Sequence, residues 1–414
     1  MMGGGGGKIV AAVVGIAAVA VGAIVAGPLG GGAALAAAFG ATSAASIAVA
    51  TSVVTAVVAS AVSMAAGALL PKPSAPTFTQ TLRDRTVMVR QPITSRRLVY
   101  GQNRVSGPIV FTESYGNDNK ILHLVLALAS HEVEDIDKVF FNDIEVWDKN
   151  SGVISKYSGI LQVNVRKGGS DNNSWPSSLL NETEWSTAHK LNGIAAVHLR
   201  MTFDQDKFPT GIPNVTARVK GKKIYDPRTS TTSYSANAAL CIRDYLLDQE
   251  YGLGCSASEV NDTDFIAAAN ICDENVNIAA GGTEKRYEMH GMISVDSSPE
   301  DILNVMMTSC AGKLVYTGGK FTLFVGAYRT PTITLDEEDL AGPISVQTRR
   351  SRRDQYNAVR GVFNSAADNY IVTDFPAITS SAFEAEDNGE RIFKDLELPF
   401  TTSASTAQRL AKIS

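Results

Sequence analysis

Between Lys8 and Lys72 no side chain carries a charge. That absence excludes an ordinary solvated domain for the segment, because a soluble fold needs charge on its outer face. So long a neutral stretch belongs in a bilayer, a lumen or a multi-subunit bundle. Cysteine is scarce: Cys241, Cys255, Cys272 and Cys310 are the whole set, and no two form a C-x-x-C pair, so zinc-finger spacing is excluded. Three of the four fall on apolar faces of predicted helices and read as buried free thiols of a chain made in a reducing cytosol. Excess positive charge is also missing. The chain has 37 Lys plus Arg against 42 Asp plus Glu, a formal net charge of −5, which argues against a dedicated nucleic-acid binder held by phosphate contacts.

Catalytic punctuation is absent as well. There is no G-x-S-x-G elbow, no H-E-x-x-H, no P-loop and no dinucleotide fingerprint. The five histidines, His123, His131, His189, His198 and His290, include no metal-ligand pair at helical spacing. The expectation is a protein that is not an enzyme and needs no cofactor or metal.

The neutral segment is two apolar runs, residues 9–26 and 33–70, separated by Gly27-Pro28 and Gly30-Gly31-Gly32. This pattern predicts a helical hairpin over residues 1–71, each arm near or above the roughly 20 residues that span a bilayer. A secretory signal would be followed by a polar mature chain, whereas here a second apolar run follows. Ala and Gly dominate and Leu is scarce, so insertion energy per residue is weak but backbones can approach closely. Ala11 and Gly15, then Ala18, Gly22 and Ala26, then Ser52, Ala56 and Ser60 recur at four-residue spacing as small-residue seams. Hydroxyls such as Thr42, Ser46 and Thr55 can bond to carbonyls one turn back or across a helix interface. The segment suits a tight bundle that later enters a membrane; a permanent two-span anchor is the alternative.

Pro71, Pro73 and Pro76 form a stiff linker, after which the chain turns β-rich. Residues 109–113 and 121–129 read as strands around the turn Gly116-Asn117-Asp118-Asn119. In the second, Leu122, Leu124, Leu126 and Leu128 share one face and His123, Val125, Ala127 and Ala129 the other. Both faces are largely apolar, so this strand is central and His123 reads as a satisfied strand histidine rather than a ligand. Val215, Ala217 and Val219 alternate with Thr216, Arg218 and Lys220 as a half-exposed strand. Three helices are then predicted. Asn237 caps the first; Phe265, Ala268, Ala269 and Cys272 line the second; Ser298, Pro299, Glu300 and Asp301 open the third. A hairpin turning at Gly318-Gly319 follows, then more strand-forming chain. The fold class is α+β, mainly β, with domains 72–235 (β-rich), 236–332 (an α+β insert) and 333–414 (β-rich). A last helix begins at Ser405 or Thr406 with Leu410 and Ile413 inward. It is too short to be stable alone, so it docks on the body or the natural chain continues past Ser414.

Two charge runs stand out. Asp336-Glu337-Glu338-Asp339 reads as a solvated turn before a metal site. In Arg349-Arg350-Ser351-Arg352-Arg353, strand alternation puts Arg350 and Arg352 on one side and Arg349 and Arg353 on the other. That pattern fits salt bridges to a neighbouring subunit better than an exposed face. It fits a nucleic-acid groove least, since no aromatic platform interleaves it.

Several segments resemble the tip attachment protein J family, the tail-tip hub proteins of long-tailed bacteriophages and related prophages. They begin with Val89-Arg90-Gln91-Pro92-Ile93, Arg96-Arg97-Leu98-Val99-Tyr100-Gly101 and Val105-Ser106-Gly107. Leu122-His123-Leu124-Val125, His131-Glu132-Val133 and Phe140-Phe141-Asn142-Asp143 follow, then Phe208-Pro209-Thr210-Gly211-Ile212-Pro213-Asn214 and the stretch from Lys220 to Arg228. The later ones are residues 237–247 with Tyr251-Gly252-Leu253-Gly254, Ala327-Tyr328-Arg329-Thr330-Pro331, residues 347–354, and Leu398-Pro399-Phe400-Thr401-Thr402 with Ala407-Gln408-Arg409-Leu410-Ala411. Each piece is short; their order over more than three hundred residues carries the resemblance, which runs from about Thr81 to the end.

The resemblance implies hub-type β-barrel domains and a homotrimer around the tail axis. Such a hub closes the tail tube, joins other tail-tip and tail-tube proteins to a central fibre or receptor-binding protein, and opens when DNA passes in transit. It implies a virion location at the tail tip after synthesis in the host cytoplasm. Three copies of the hairpin would then plug the lumen and meet the host membrane at entry. Family members usually continue into fibre and receptor-binding modules, so receptor recognition is not assigned to these residues. A membrane-anchored or pore-forming bacterial protein of prophage origin is the competing reading, and a cell-wall hydrolase a third.

Overall fold

The computed structural model describes residues 88, 94–170, 174–331, 333–339, 342 and 355–414, all within one unit of the chain, residues 78–414. The predicted hairpin of residues 1–71, with its seams at Ala11, Gly15, Ala18, Gly22, Ala26, Ser52, Ala56 and Ser60, lies outside the described residues. So do Arg349, Arg350, Arg352 and Arg353.

The first part is a two-sheet β structure. Its elements are β1 (Arg97–Tyr100), β2 (Gln102–Val105), β3 (Ile109–Tyr115), β4 (Ile121–Ala129), β5 (Val133–Phe141), β6 (Ile144–Asp148), β7 (Gly152–Val153), β8 (Leu161–Arg166), α1 (Ser177–Glu182), β9 (Ala195–Thr202), β10 (Val215–Asp226) and β11 (Thr231–Tyr234). One sheet has the order β3-β4-β9-β8; the other runs β11-β10-β5-β6-β7, with β2 also paired to β10. The alternation seen in sequence explains the layering. Leu124, Leu126 and Leu128 of β4 and Val197 and Leu199 of β9 share one core with Val133, Ile136 and Val139 of β5 and Val215, Ala217 and Val219 of β10. Each fully buried leucine in such a layer contributes about 2 kcal/mol.

β4 is central, as its two apolar faces require, and its second face carries a separate small core under α1. Val125, Trp175, Leu179, Trp185 and Ala196 form that core. Gly107 is a close-approach site: a Cβ there would meet the Ala127 carbonyl oxygen at 1.6 Å, beside irregular β3–β4 and β4–β9 register.

The second part comprises α2 (Ala238–Leu247), α3 (Asp262–Asp273), β12 (Asn275–Asn277), β13 (Thr283–Lys285), β14 (Gly291–Ser294), α4 (Pro299–Thr308), β15 (Lys313–Thr317), β16 (Lys320–Phe324), β17 (Ala358–Ser365), β18 (Ile371–Thr379), α5 (Ser381–Glu386), β19 (Phe393–Leu398) and α6 (Ala404–Ile413). The caps work as their residue types dictate. The Asn237 side chain accepts from the Ala239 and Leu240 N–H groups, and Ser298 accepts from Asp301 N–H ahead of Pro299. Gly318 and Gly319 both take positive φ in the β15–β16 turn, which a side chain would strain. A single core gathers Leu240, Phe265, Met306 and Leu323 with Phe363, Phe375, Leu398 and Leu410, and adds Leu98 and Tyr100 from β1.

The expectation of closed β-barrels is corrected. Among the described residues each sheet path ends rather than closing. β10 shows why in the larger sheet: residues 215–222 pair with β5, and Lys223 to Asp226 turn away to pair with β11. The last helix also differs from expectation. It is capped by Ser403, whose side chain accepts from Thr406 N–H. Ala407, Leu410 and Ala411 face inward while Ile413 is half exposed, because the inward stripe follows the i, i+3, i+4 spacing from Ala407. The helix docks on β17 and β18.

Two polar joints tie the sheets to their surroundings. Arg104, almost fully buried, donates from Nε to Thr216 Oγ1 at 2.6 Å and pairs with Asp143 at 2.7 Å. Its guanidinium lies 4.4 Å from the Phe140 ring centroid. Lys222 on β10 binds Asp244 of α2 and Asp248 at its C-cap at 2.7 and 2.5 Å, and the Tyr100 hydroxyl donates to Asp244 at 2.7 Å.

Candidate functional site

Two places have properties that packing alone does not require. The first is an exposed apolar arm. The chain leaves the core at Gly326, whose N–H donates to the Cys310 carbonyl at 2.9 Å and whose carbonyl accepts from the Tyr287 hydroxyl at 2.6 Å. The Arg329 guanidinium sits 4.7 Å from the Phe324 ring centroid and covers the end of β16. Beyond it the described chain runs on the surface without strand pairing until a 3-10 turn at Glu337–Asp339. Tyr328 is 88% exposed, Ile333 74% and Leu335 71%. Single exposed apolar residues are normal; three large ones within eight positions make this stretch a candidate interaction surface. Asp336, Glu338 and Asp339 follow as an exposed acidic tip, which is the solvated turn expected from the sequence.

A shallow apolar groove of about 230 Å³ lies on the β sandwich, lined by Leu122, Met201, Phe203, Phe208, Ile212 and Pro213. Ile371 and Val372 also expose apolar surface on β18, an edge strand of the order β18-β17-β19.

The second place is a buried polar chain between the outer face of β4 and β9 and the helix α1. Asn164 of β8 contacts His198 Nδ1 at 3.3 Å; His198 Nε2 contacts His123 Nδ1 at 3.1 Å; His123 Nε2 contacts Glu182 Oε2 at 3.0 Å. Arg200 grips the same carboxylate with two bonds, 2.7 and 3.2 Å. The imidazoles stack at 5.4 Å between centroids, and both are fully buried.

Donor roles follow from the end of the chain. Ionised Glu182 only accepts, so His123 Nε2 carries the hydrogen and His123 Nδ1 accepts. His198 Nε2 must then donate, and His198 Nδ1 accepts from the Asn164 amide. Both rings are thus neutral and every nitrogen is used once. Burial lowers the His123 pKa despite the Glu182 carboxylate. Burial, then the neighbouring His123, Arg166 and Arg200, push His198 down to about 3. Burial opposes ionisation of Glu182, yet the bonds from Arg200 and His123 outweigh it and hold its carboxyl below the usual value.

His123 is therefore the satisfied strand histidine that the alternation of β4 predicts. Its partner His198 was missed. The signal was local, since Ala196, His198 and Arg200 alternate on one face of β9, but the pairing that brings His198 beside His123 is not readable from spacing. Ser186 and His189, 3.0 Å apart, are a turn contact: the same ring nitrogen also accepts the Ser186 N–H at 3.0 Å. Among the described residues no group of three or more His, Cys, Asp or Glu is arranged to hold a metal ion. No described helix is long and apolar enough to cross a membrane.

No family model matches the chain. Among curated proteins it is similar to "Tip attachment protein J" of Escherichia phage SECphi27, 24% identical over 199 residues; the match covers 44% of this chain and 16% of that protein. The chain is thus similar to a small part of a much longer relative. Among solved structures it is similar to a chain from "Virion of native gene transfer agent (GTA) particle", with a TM-score of 0.49, 17% identity, and 84% of each chain covered.

Proposed function

We propose that this chain is a structural component of a bacteriophage-type virion, located at the tail tip, where three copies form a hub that closes the tail tube. The observation that carries the reading is the similarity to a phage tip attachment protein over 199 residues. The ordered motif resemblance from Thr81 to the end agrees with it. The hub links tail-tube and tail-tip proteins to a central fibre and opens for DNA ejection. It acts by binding and geometry rather than by catalysis. The exposed arm at Tyr328, Ile333 and Leu335 supplies a surface for a neighbouring subunit, and the uncharged residues between Lys8 and Lys72 supply a lumen plug that enters the host envelope.

The assembly is tested by mass measurement of the purified full chain and of the particle. Three copies per assembly are expected. Ile333→Asp combined with Leu335→Asp is expected to weaken association at least tenfold while leaving the circular dichroism unchanged. A polypeptide that is monomeric alone and absent from particles removes the hub reading. Envelope entry is tested separately: a peptide of residues 1–71 is expected to bind liposomes and release trapped dye. A peptide that does neither leaves the plug without a membrane role.

A further inference from the structure

The His123–His198 pair is sealed by a flap, residues 174–191, whose only regular element is α1. Trp175, Leu179 and Trp185 of this flap close over Val125 and Ala196 of the sheet, and Phe111 of β3 meets the Trp185 ring at 5.1 Å. Glu182, at the end of α1, is the flap's carboxylate contact to His123 and Arg200.

We infer that this hydrogen-bonded chain is an acid-operated latch: it absorbs one proton in place, and a second proton separates the two imidazoles and lifts the flap from the sheet. In the neutral state the bonds run one way, from the Asn164 amide through His198 and His123 to Glu182. A first proton is accommodated by reversing one end. The Asn164 amide rotates to present its oxygen, His198 donates from Nδ1 and accepts at Nε2, and His123 donates from both nitrogens, its cation resting against Glu182. After that no acceptor remains between the rings. A second proton puts N–H on both His198 Nε2 and His123 Nδ1, two donors facing each other across 3.1 Å, on rings stacked 5.4 Å apart.

The surroundings sharpen the conflict. Arg200 of β9 lies against Glu182, and Arg166 of β8 stacks its guanidinium 5.2 Å from the Trp175 ring centroid; both disfavour added positive charge. Among the described residues the carboxylates facing the pair are Glu182 and, on β3, Glu113, which accepts the Glu184 N–H at 2.9 Å. His189 lies on the flap itself, its ring 5.2 Å from that of Trp185. Two imidazolium cations beside Arg200 exceed what Glu182 and Glu113 neutralise, so the cheapest relief is to admit water by moving the flap. The opened face would present Phe111, Val125 and Ala196 together with the two flap indoles, an apolar surface available only in acid.

The test uses the full chain. Hydrogen–deuterium exchange of residues 174–191 is followed against pH, with tryptophan emission in a Trp147→Phe background, where Trp175 and Trp185 are the only indoles. Flap exchange and emission are expected to change together, with a one-proton steepness and below the pH at which the first proton binds, before the far-ultraviolet circular dichroism falls. His198→Gln keeps a donor toward His123 but removes the second titrating ring. The remaining ring can then take its one proton in place, so flap opening is expected to move more than one pH unit toward acid. An unchanged transition in His198→Gln, or a wild-type flap that stays closed until the whole fold melts, overturns the latch. Should the variant not fold, proton NMR of the wild-type rings decides: two coupled, well-separated titrations support it, and two independent titrations near the ordinary histidine value overturn it.

Discussion

Replacing Lys222 by alanine is expected to destabilise the fold by about 3 kcal/mol, the range for breaking a largely buried ion pair from one side. Asp244 on α2 and Asp248 at its C-cap stand one turn apart, so both carboxylates reach the same ammonium. Side-chain exposures of 20% for Lys222, 17% for Asp244 and 11% for Asp248 place the triad well inside the weakly screened regime. Burial opposes the charge on Lys222, but the two carboxylates outweigh it and raise its pKa. Asp248 is likewise opposed by burial and held low by Lys222 and by the Tyr251 and Glu250 N–H groups.

Without the ammonium, two carboxylates face each other in a nearly dry joint, with only the Tyr100 hydroxyl left on Asp244. Lys222→Met keeps most of the volume and is expected to cost as much as Lys222→Ala, which separates charge from packing. Adding Asp244→Asn to Lys222→Met should recover part of the loss, since one uncompensated charge is gone. Urea denaturation with an unchanged m-value measures all three. Losses below about 1 kcal/mol in both single variants would reduce the triad to an exposed pair in its energetics.

The parts of this architecture that were legible in the sequence are those governed by neighbours along the chain. The double apolar alternation of β4, the caps at Asn237 and Ser298, and the glycine turn at 318–319 depend on a handful of adjacent residues. Each stands where its chemistry places it. What was not legible depends on pairing across long separations. β1 joins β14 in the register Arg97 to Ser294, and β17 pairs in parallel with β19 after the α5 crossover. Neither follows from periodicity, and the barrel expectation failed for the same reason: whether a sheet closes is decided by its last pairing. Asp244 and Asp248 are visible as an i, i+4 acidic pair, but Lys222 as their partner is not. The arm is a different case. Tyr328, Ile333 and Leu335 look like ordinary strand residues, and only their exposure separates them from a core.

Acid is expected to weaken the fold more than any single substitution considered above. Lowering the pH from 7 to 5 should remove about 4 kcal/mol of stability, roughly 2 from each of two histidines. One is His198. The other is His131, whose Nε2 accepts the Val99 N–H at 2.9 Å and whose Nδ1 donates to the Glu132 carbonyl at 2.8 Å. Burial, with help from Lys222, pushes His131 down to about 4. Its ring keeps some exposure, which trims its share.

Both folded values lie below the ordinary 6.5, so the unfolded chain binds more protons and stability rises with pH. The contribution is complete above 6.5 and is lost as pH falls through about 4 for His131 and about 3 for His198. The lowered carboxyls of Glu182, Asp226 and Asp248 act in a lower window, below their ordinary values near 4, so the loss between pH 7 and 5 belongs to the rings. His131→Gln supplies an acceptor for Val99 without a titrating nitrogen and should remove about one proton from the unfolding slope between pH 6.5 and 4.5. His198→Gln should remove about another. If the unfolding free energy is flat across that interval, neither ring is held neutral by the fold, and the one-way hydrogen-bond chain from Asn164 to Glu182 is not the arrangement in solution.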